Sequence, residues 1–313
     1  MIMINRKNVD EMIGKAVDWA WKIRDKSCGW GRAEGTHLAV IDAAEILYGL
    51  ECVGASKAKV KESVGFLKEQ LHLAYPKWVG SPHAARTYAW ILLCLTGVGE
   101  KRTSDDVRRC SQLLNEFREE GKGWKASGKG LYGYAKFTRG NKSSVYDTAL
   151  SILALESADI SDGIKDGRTW LKKIQNADGG WGFWEADESI PVTTALACLA
   201  VDNKDSLSKG LGWLREMQGN DGRWYLSYES TPLFSGDVWA HFSTPLCMLA
   251  LLKDGEKVPS ENLTRGFSYL EGLQSPDGGW PIMKVFPLSD KMPPFTWATG
   301  NALWMLSVLR EKT

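Results

Sequence analysis

Trp170-Leu-Lys-Lys-Ile-Gln175-Asn-Ala-Asp178-Gly-Gly-Trp181 has three parts. Trp170 to Gln175 reads as the end of an amphipathic helix. Asn176 to Gly180 is a turn, because Asn, Asp and Gly tolerate left-handed backbone angles. Trp181 then anchors the chain that follows. The pattern returns as Trp213-Leu-Arg-Glu-Met-Gln218-Gly-Asn-Asp221-Gly-Arg-Trp224 and as Tyr269-Leu-Glu-Gly-Leu-Gln274-Ser-Pro-Asp277-Gly-Gly-Trp280. Identical internal spacing in all of them makes the chain a repeat protein.

Working outward, weaker copies precede the strong ones. Lys15-Ala-x-x-Trp19 with Gly29-Trp30, Phe66 to Gln70 with Trp78, and Leu113 to Arg118 with Gly123-Trp124 complete the series. Each Trp marker is followed by an apolar helix, expected at about 38–50, 84–95, 145–157, 192–201, 242–253 and 299–310. The second helix of each pair carries almost no charge, as in Thr194-Ala-Leu-Ala-Cys-Leu-Ala-Val, whereas the first carries Lys, Arg and Glu on one face. A helix that is apolar all round is buried, and one with a charged stripe faces water. The second helices therefore form an inner ring and the first an outer ring. Neither end has a clearly polar capping repeat, which favours a closed ring over an open solenoid. The expected architecture is an all-α, (α/α)6 toroid, one domain over residues 1–313, with the clearest repeats at 164–310.

Composition narrows the function classes. The chain has 313 residues, 43% apolar and 25% charged, with a net charge of +1. No global field recruits nucleic acid or an anionic membrane. The six cysteines, at 28, 52, 94, 110, 198 and 247, include no Cys-x-x-Cys pair, which argues against a zinc ribbon or disulfide framework and for a reducing compartment. No run approaches the ~18 apolar residues of a membrane span, so a cytoplasmic protein is expected.

Lys209-Gly-x-x-Trp213-Leu-x-x-x-Gln218-x-x-x-Gly222-x-Trp224 and its counterpart ending at Trp280 resemble the QW repeat of squalene–hopene and oxidosqualene cyclases and related terpenoid cyclases. Protein prenyltransferase β subunits share that toroid with looser repeats. The resemblance covers essentially the whole chain and implies an (α/α)6 barrel. The repeat itself reads as structural, with the Gln amide bridging backbone groups at helix ends.

The resemblance also directs attention to the starts of the inner helices. Class II terpenoid cyclases place a proton-donating Asp in an Asp-x-Asp-Asp-Thr-Ala motif there. The matching segment is Ser144-Val-Tyr146-Asp147-Thr-Ala149, which keeps the last Asp, the Thr and the Ala but has Tyr146 where the donor belongs. A phenol with a pKa of about 10 is a poor protonator of an alkene, and Asp147 can equally cap its helix. Aligning inner helices on their Ala-Leu pairs puts Asp147 level with Asp42, Thr87, Thr193, Ser243 and Gly300, and Tyr146 level with Ile41, Arg86, Val192, Phe242 and Thr299. If Arg86 sits beside Asp147, the carboxylate is held ionised and structural, and the acid role passes to Asp237 with His241, four residues apart.

Long inserts at about 125–143, 225–238 and 281–295 all precede inner helices. With Trp184, Trp239, Phe242 and Trp297 they suggest an aromatic rim for an apolar or cationic ligand. The prenyltransferase zinc ligands have no counterpart, since Asp237-Val-Trp239 carries Trp in place of Cys. No metal and no cofactor are expected. Three functions follow: a terpenoid-cyclase-like enzyme, with catalytic candidates Asp147, Asp237, His241 and Tyr146 and ligand contacts Trp184, Trp239, Phe242, Trp297, Arg86 and Asp42; a non-catalytic ring binding an apolar molecule, peptide or partner protein; and a carbohydrate-active (α/α)6 enzyme.

Overall fold

A computed structural model describes residues 4–36, 38–73, 85–126, 142–225, 240–281 and 294–313. Trp78 and most of the three long inserts lie outside the described residues. The described chain is all-helical, with isolated bridges such as Gly31 to Leu38. The inner helices are α2 (Val40–Cys52), α4 (Ala85–Gly97), α6 (Val145–Ser157), α8 (Pro191–Ala200), α10 (Ala240–Lys253) and α12 (Thr296–Glu311). The outer helices are α1 (Arg6–Ile23), α3 (Lys57–His72), α5 (Asp105–Asn115), α7 (Ile164–Lys173), α9 (Lys204–Glu216) and α11 (Glu261–Leu273). The third outer helix is displaced from its expected place at 113–118. Ser104 caps α5 by accepting from the Val107 N–H at 3.3 Å, and Asp105 and Asp106 fill its first turn, where the dipole favours acids.

Consecutive inner helices pack side by side, and α12 packs on α2, so the ring closes. Closure is tight because glycines face each other across that last contact. A Cβ on Gly300 would meet the Glu45 carbonyl, and one on Gly49 would meet Gly300 itself. Each outer helix packs mainly on the inner helix that precedes it in the chain, and α1 packs on α12. The repeating unit in sequence is thus offset by one helix from the packing unit, and this offset places the N-terminal helix on the C-terminal one.

The strong repeats are held by one recurring set of bonds. Gln175 Nε2 donates to the carbonyls of Gly179 in its own turn (2.7 Å) and Ser206 in the next outer helix (2.9 Å). Gln218 does the same with Gly222 (2.8 Å) and Asn262 (2.9 Å). Gln274 joins Gly278 (2.8 Å) to Met12 of α1 (2.8 Å), across the ring seam. Trp181, Trp224 and Trp280 bury their indoles and donate Nε1–H to Leu171, Leu214 and Leu270 carbonyls. Trp30 donates likewise to Ala20, which confirms it as a first-copy marker. Trp124 is buried, but its Nε1 finds no partner among the described residues.

Gly278, at φ 113°, adopts a left-handed conformation that disfavours side chains, and its Cβ would strike the Lys15 carbonyl. Gly255, at φ 91°, faces open space. Gly278→Ala is therefore expected to lose clearly more stability than Gly255→Ala, whose cost is backbone strain of about 1 kcal/mol. Gln274→Ala should lose ~1–3 kcal/mol, the cost of leaving buried carbonyls unpaired. Urea unfolding of the three variants measures this; equal losses for both glycine variants would mean that the seam contact contributes nothing.

Candidate functional site

The inner helices start at one end of the ring, and their caps fix a common register. The N-caps Ala39, Ser144, Ile190 and Phe295 donate their backbone N–H to the carbonyls of Trp30, Trp124, Trp181 and Trp280. Four residues beyond the cap, Thr148, Thr194 and Thr299 return a hydroxyl acceptor to the N–H of the same Trp, at 2.9, 2.9 and 3.0 Å, and Thr244 does so for Trp224 at 3.0 Å. Asp147 is therefore level with Asp42, Thr193, Ser243 and Ala298. The sixth helix corrects the Ala-Leu alignment by two residues: Ala298 replaces Gly300, and Trp297 replaces Thr299 beside Tyr146. The extra residues sit between cap and Ala302-Leu303 in α12, so matching the endings misplaces the beginning.

This register brings Tyr146, Phe242 and Trp297 to one level. Tyr146 lies nearly parallel to Phe183 (6.3 Å, 20°) and to Phe242 (6.2 Å, 21°). Phe242 meets the Trp297 ring edgewise at 4.8 Å, and Phe183 meets Trp184 at 5.1 Å. Helices α6 and α10 are not neighbours. Their rings meet over α8, whose residue at this level is only Val192. A second aromatic cluster lies about two helical turns deeper, seven residues along, or ~10 Å. There Tyr48 contacts Trp304 (5.3 Å), and the Trp90 ring, from the level above, reaches Tyr48 (5.7 Å) and Trp304 (6.0 Å). These contacts identify the face of each inner helix that looks toward the ring axis.

Between the two aromatic levels the axis-facing positions are Glu45, Trp90, Leu150, Leu196, Leu246 and Asn301. Leucine occupies three successive helices, and the polar residues occupy the three others. Glu45 was not among the residues that sequence reasoning selected. Its signal was present: a second carboxylate, one turn after Asp42, in a helix with no basic residue.

Asp147 is fully buried and committed to Arg86. Arg86 Nε donates to Oδ1 at 2.9 Å and Nη2 to Oδ2 at 2.7 Å, a bidentate fork, and the Arg86 backbone N–H adds a third bond at 3.2 Å. Ser144 Oγ, the N-cap, lies 2.5 Å from Oδ2 and accepts from the Asp147 N–H at 3.0 Å. Both carboxylate oxygens thus serve as acceptors, which suits an anion that ties α4 to α6 and not a proton donor. The Arg86 guanidinium also lies over the Tyr146 ring at 4.8 Å and the Phe183 ring at 5.8 Å, so Tyr146 is a platform for the pair.

Asp42, the equivalent carboxylate in α2, has a weaker set of partners. Thr296 Oγ1 approaches Oδ1 at 3.4 Å and Arg32 Nε at 3.9 Å, while Oδ2 is buried without a partner among the described residues. Burial pushes its pKa up to about 6, against the pull of Arg32. Glu45 is also buried. Burial first, then the charge of Asp42, raise it well above the usual carboxylate range, opposed by Arg86, Arg32 and the Trp90 N–H. Two buried acids whose pKa values are both raised by burial thus lie one turn apart on a single helix. An acid whose proton is held more firmly by burial suits proton donation.

Asp237 and Trp239 lie outside the described residues, as does the side chain of His241, whose backbone belongs to α10. Trp184 is buried beside Phe183. Among the described residues no group of three His, Cys, Asp or Glu is placed to hold a metal ion, and no helix is long and apolar enough to cross a membrane.

Two measurements check this electrostatic arrangement. Removing one partner of the buried pair, as in Arg86→Met, should cost ~3–5 kcal/mol, and the double variant Arg86→Met/Asp147→Leu should recover part of that loss. A double variant as unstable as the single one would contradict the pairing. For Asp42, the folded pKa lies above the unfolded one, so the native state holds the proton longer. Wild-type stability should therefore fall by up to ~3 kcal/mol as pH rises from about 4 through 6, and Asp42→Asn should flatten that part of a urea-unfolding pH series.

The whole described fold has solved counterparts. The type II terpene cyclase MstE from Scytonema, in complex with its substrate geranylgeranyl dihydroxybenzoate, superposes with a TM-score of 0.71 at 14% identity, over 98% of this chain and 99% of that one. A protein from Actinoplanes gives 0.70 at 15% identity, over 97% and 100%. A glycosidase gives 0.71 at 11% identity, over 97% of each chain. No protein-family model and no curated protein sequence matches the chain. At these identities the likeness is one of fold: the chain has the toroid of type II terpene cyclases.

Proposed function

We propose that the ring is an acid-initiating enzyme of terpenoid-cyclase type, acting on an isoprenoid-like polyene, with Glu45 as the proton donor. The observation that carries this reading is a buried carboxylic acid, its pKa raised by that burial, on an inner helix between two aromatic levels and opposite leucines. Alkene protonation needs such an acid. The Glu45 proton would form a new C–H bond with the alkene π electrons, leaving a carbocation. Aromatic faces at Trp297, Phe242, Trp90 and Trp304 would stabilise the positive charge. The Glu45 carboxylate would then be the anion nearest to the cation. Loss of a proton to it at the end restores the acid, so the net reaction is an isomerisation. MstE, of the same fold, binds a geranylgeranyl compound, which agrees with a ligand of this class.

The glycosidase likeness raises the alternative of carbohydrate chemistry. Asp42 and Glu45 lie on adjacent turns of one helix, whereas a glycosidase pair must flank a bond from two sides. The leucines opposite offer no hydroxyl recognition. A ring that only binds an apolar molecule or partner protein would share these walls without using the acid.

Incubation with linear polyenes and prenyl compounds tests the reading, with product detected by mass spectrometry. Glu45→Gln should lower turnover at least a hundredfold, in the range that general acids supply, with Asp237→Asn as the comparison. Loss in Asp237→Asn but not in Glu45→Gln would move the acid to the Asp237–His241 pair. Wild-type protein that binds such compounds and converts none of them would leave the binding ring.

A further inference from the structure

Trp90 is the indole at the level of Glu45, on the neighbouring inner helix. It is almost completely buried, but it is not a repeat marker. Trp30, Trp181, Trp224 and Trp280 each give their Nε1–H to a backbone carbonyl of an outer helix, and Trp90 gives its own to none. Packing alone does not call for an indole here, since Leu150, Leu196 and Leu246 fill the same position on three sister helices and are equally buried. The Trp90 ring is held by contacts with Tyr48 of α2 at 5.7 Å and Trp304 of α12 at 6.0 Å. Tyr48 lies three residues beyond Glu45 on the same face of α2, so the indole lies across the turn that carries the acid. Its N–H is directed at the Glu45 carboxyl.

We infer that Trp90 is a positioning residue for the Glu45 acid: its indole N–H holds the carbonyl oxygen, leaves the proton on the other oxygen, and stabilises the carboxylate as the proton departs. The inference rests on the reading of Glu45 as the proton donor. An indole N–H can only donate. A neutral carboxyl has one carbonyl oxygen that accepts and one hydroxyl that donates, so a donor-only partner selects the carbonyl oxygen. The same N–H bonds more strongly to the carboxylate that remains after transfer, because charge-assisted bonds are the stronger ones. An interaction that strengthens along the reaction lowers its barrier. Arg86 and Arg32 also oppose the burial of Glu45, through charge. Arg86 is engaged by Asp147 in its fork, and neither cation selects one oxygen of Glu45.

Infrared difference spectra of the whole protein test the assignment without substrate. Wild type minus Glu45→Gln isolates the C=O stretch of the neutral Glu45 carboxyl. Trp90→Phe keeps a ring between Tyr48 and Trp304 and deletes the N–H. A hydrogen bond to a carbonyl oxygen lowers its stretch, so the Glu45 band should move to higher frequency in Trp90→Phe. The band should also persist to higher pH, because the lost N–H favoured the ionised form. In turnover of a linear polyene, kcat should fall at least tenfold with KM within about threefold. The alkaline limb of the pH–rate profile should move to higher pH, a shift that loss of packing alone would not produce. Trp90→Leu, which installs the residue of three sister helices, should behave alike and serves if Trp90→Phe does not fold. A Glu45 band that stays in place, or one that moves while kcat and the alkaline limb do not, would overturn the inference and leave Glu45 standing as the acid. No neutral-carboxyl band lost in Glu45→Gln, or no polyene converted by the wild type, would overturn the reading of Glu45 and this inference with it.

Discussion

The ring depends on a side-chain amide doing what backbone cannot. In each strong repeat a Gln Nε2 donates to two carbonyls, one in its own turn and one in the next outer helix. Helix ends leave carbonyls without intrahelical partners, and this single group satisfies one while fixing the step from repeat to repeat. The glycine of the turn allows the approach. Gly179, Gly222 and Gly278 all have positive φ and would collide, if given a Cβ, with the backbone of Lys209, Arg265 and Lys15. Because the sixth step lands on α1 with the same contacts as the fourth and fifth, the seam between the chain's two ends is an ordinary step of the repeat.

That locality explains why the architecture was legible in the sequence. Gln274, Asp277, Gly278 and Trp280 act within a few residues of one another, and period and charge alone separate inner from outer helices. The offset between sequence repeat and packing unit was not legible, since either neighbouring inner helix could have covered an outer one. The shifted start of α12 was hidden too. Caps set a helix's beginning, and Phe295 offers no side-chain cap to read. The site was legible only as a location. Asp147 and Asp42 were placed at the right level, but a carboxylate's role depends on what faces it. Arg86 comes from 61 residues away and Thr296 from 254.

Those two carboxylates form a natural comparison. They occupy the same position three residues past an N-cap, on equivalent helices of one ring. Asp147 meets a planar guanidinium that matches both of its oxygens, and its burial is compensated. Asp42 meets a hydroxyl at the limit of hydrogen-bond distance and a guanidinium at 3.9 Å, and its second oxygen meets nothing described. The repeat supplies the position, and the neighbouring helix decides whether the group is a strut or an acid. Glu45 lies one turn from the undercompensated carboxylate, and the Asp42 charge is among the causes that hold its proton. Had Asp42 been paired as Asp147 is, that charge would be largely neutralised and Glu45 would be held less firmly in its neutral form.

Repetition also gives a local baseline for what the fold needs. Leucine at 150, 196 and 246 shows that the middle level packs well without polarity, and all three are buried. Glu45, Trp90 and Asn301 depart from that baseline on three adjacent helices at the seam, and each brings a polar group into the interior at a cost in desolvation. Scattered departures around the ring could each be explained by a local packing need. Departures confined to one arc, with a buried acid between a buried amide and an indole whose N–H is directed at that acid, share one direction. A sequence consistent at every other level departs from its own rule where function requires it. The arc also lies where α2 and α12 pack through Gly49 and Gly300, so the contact that closes the ring runs beside Glu45 and Asn301.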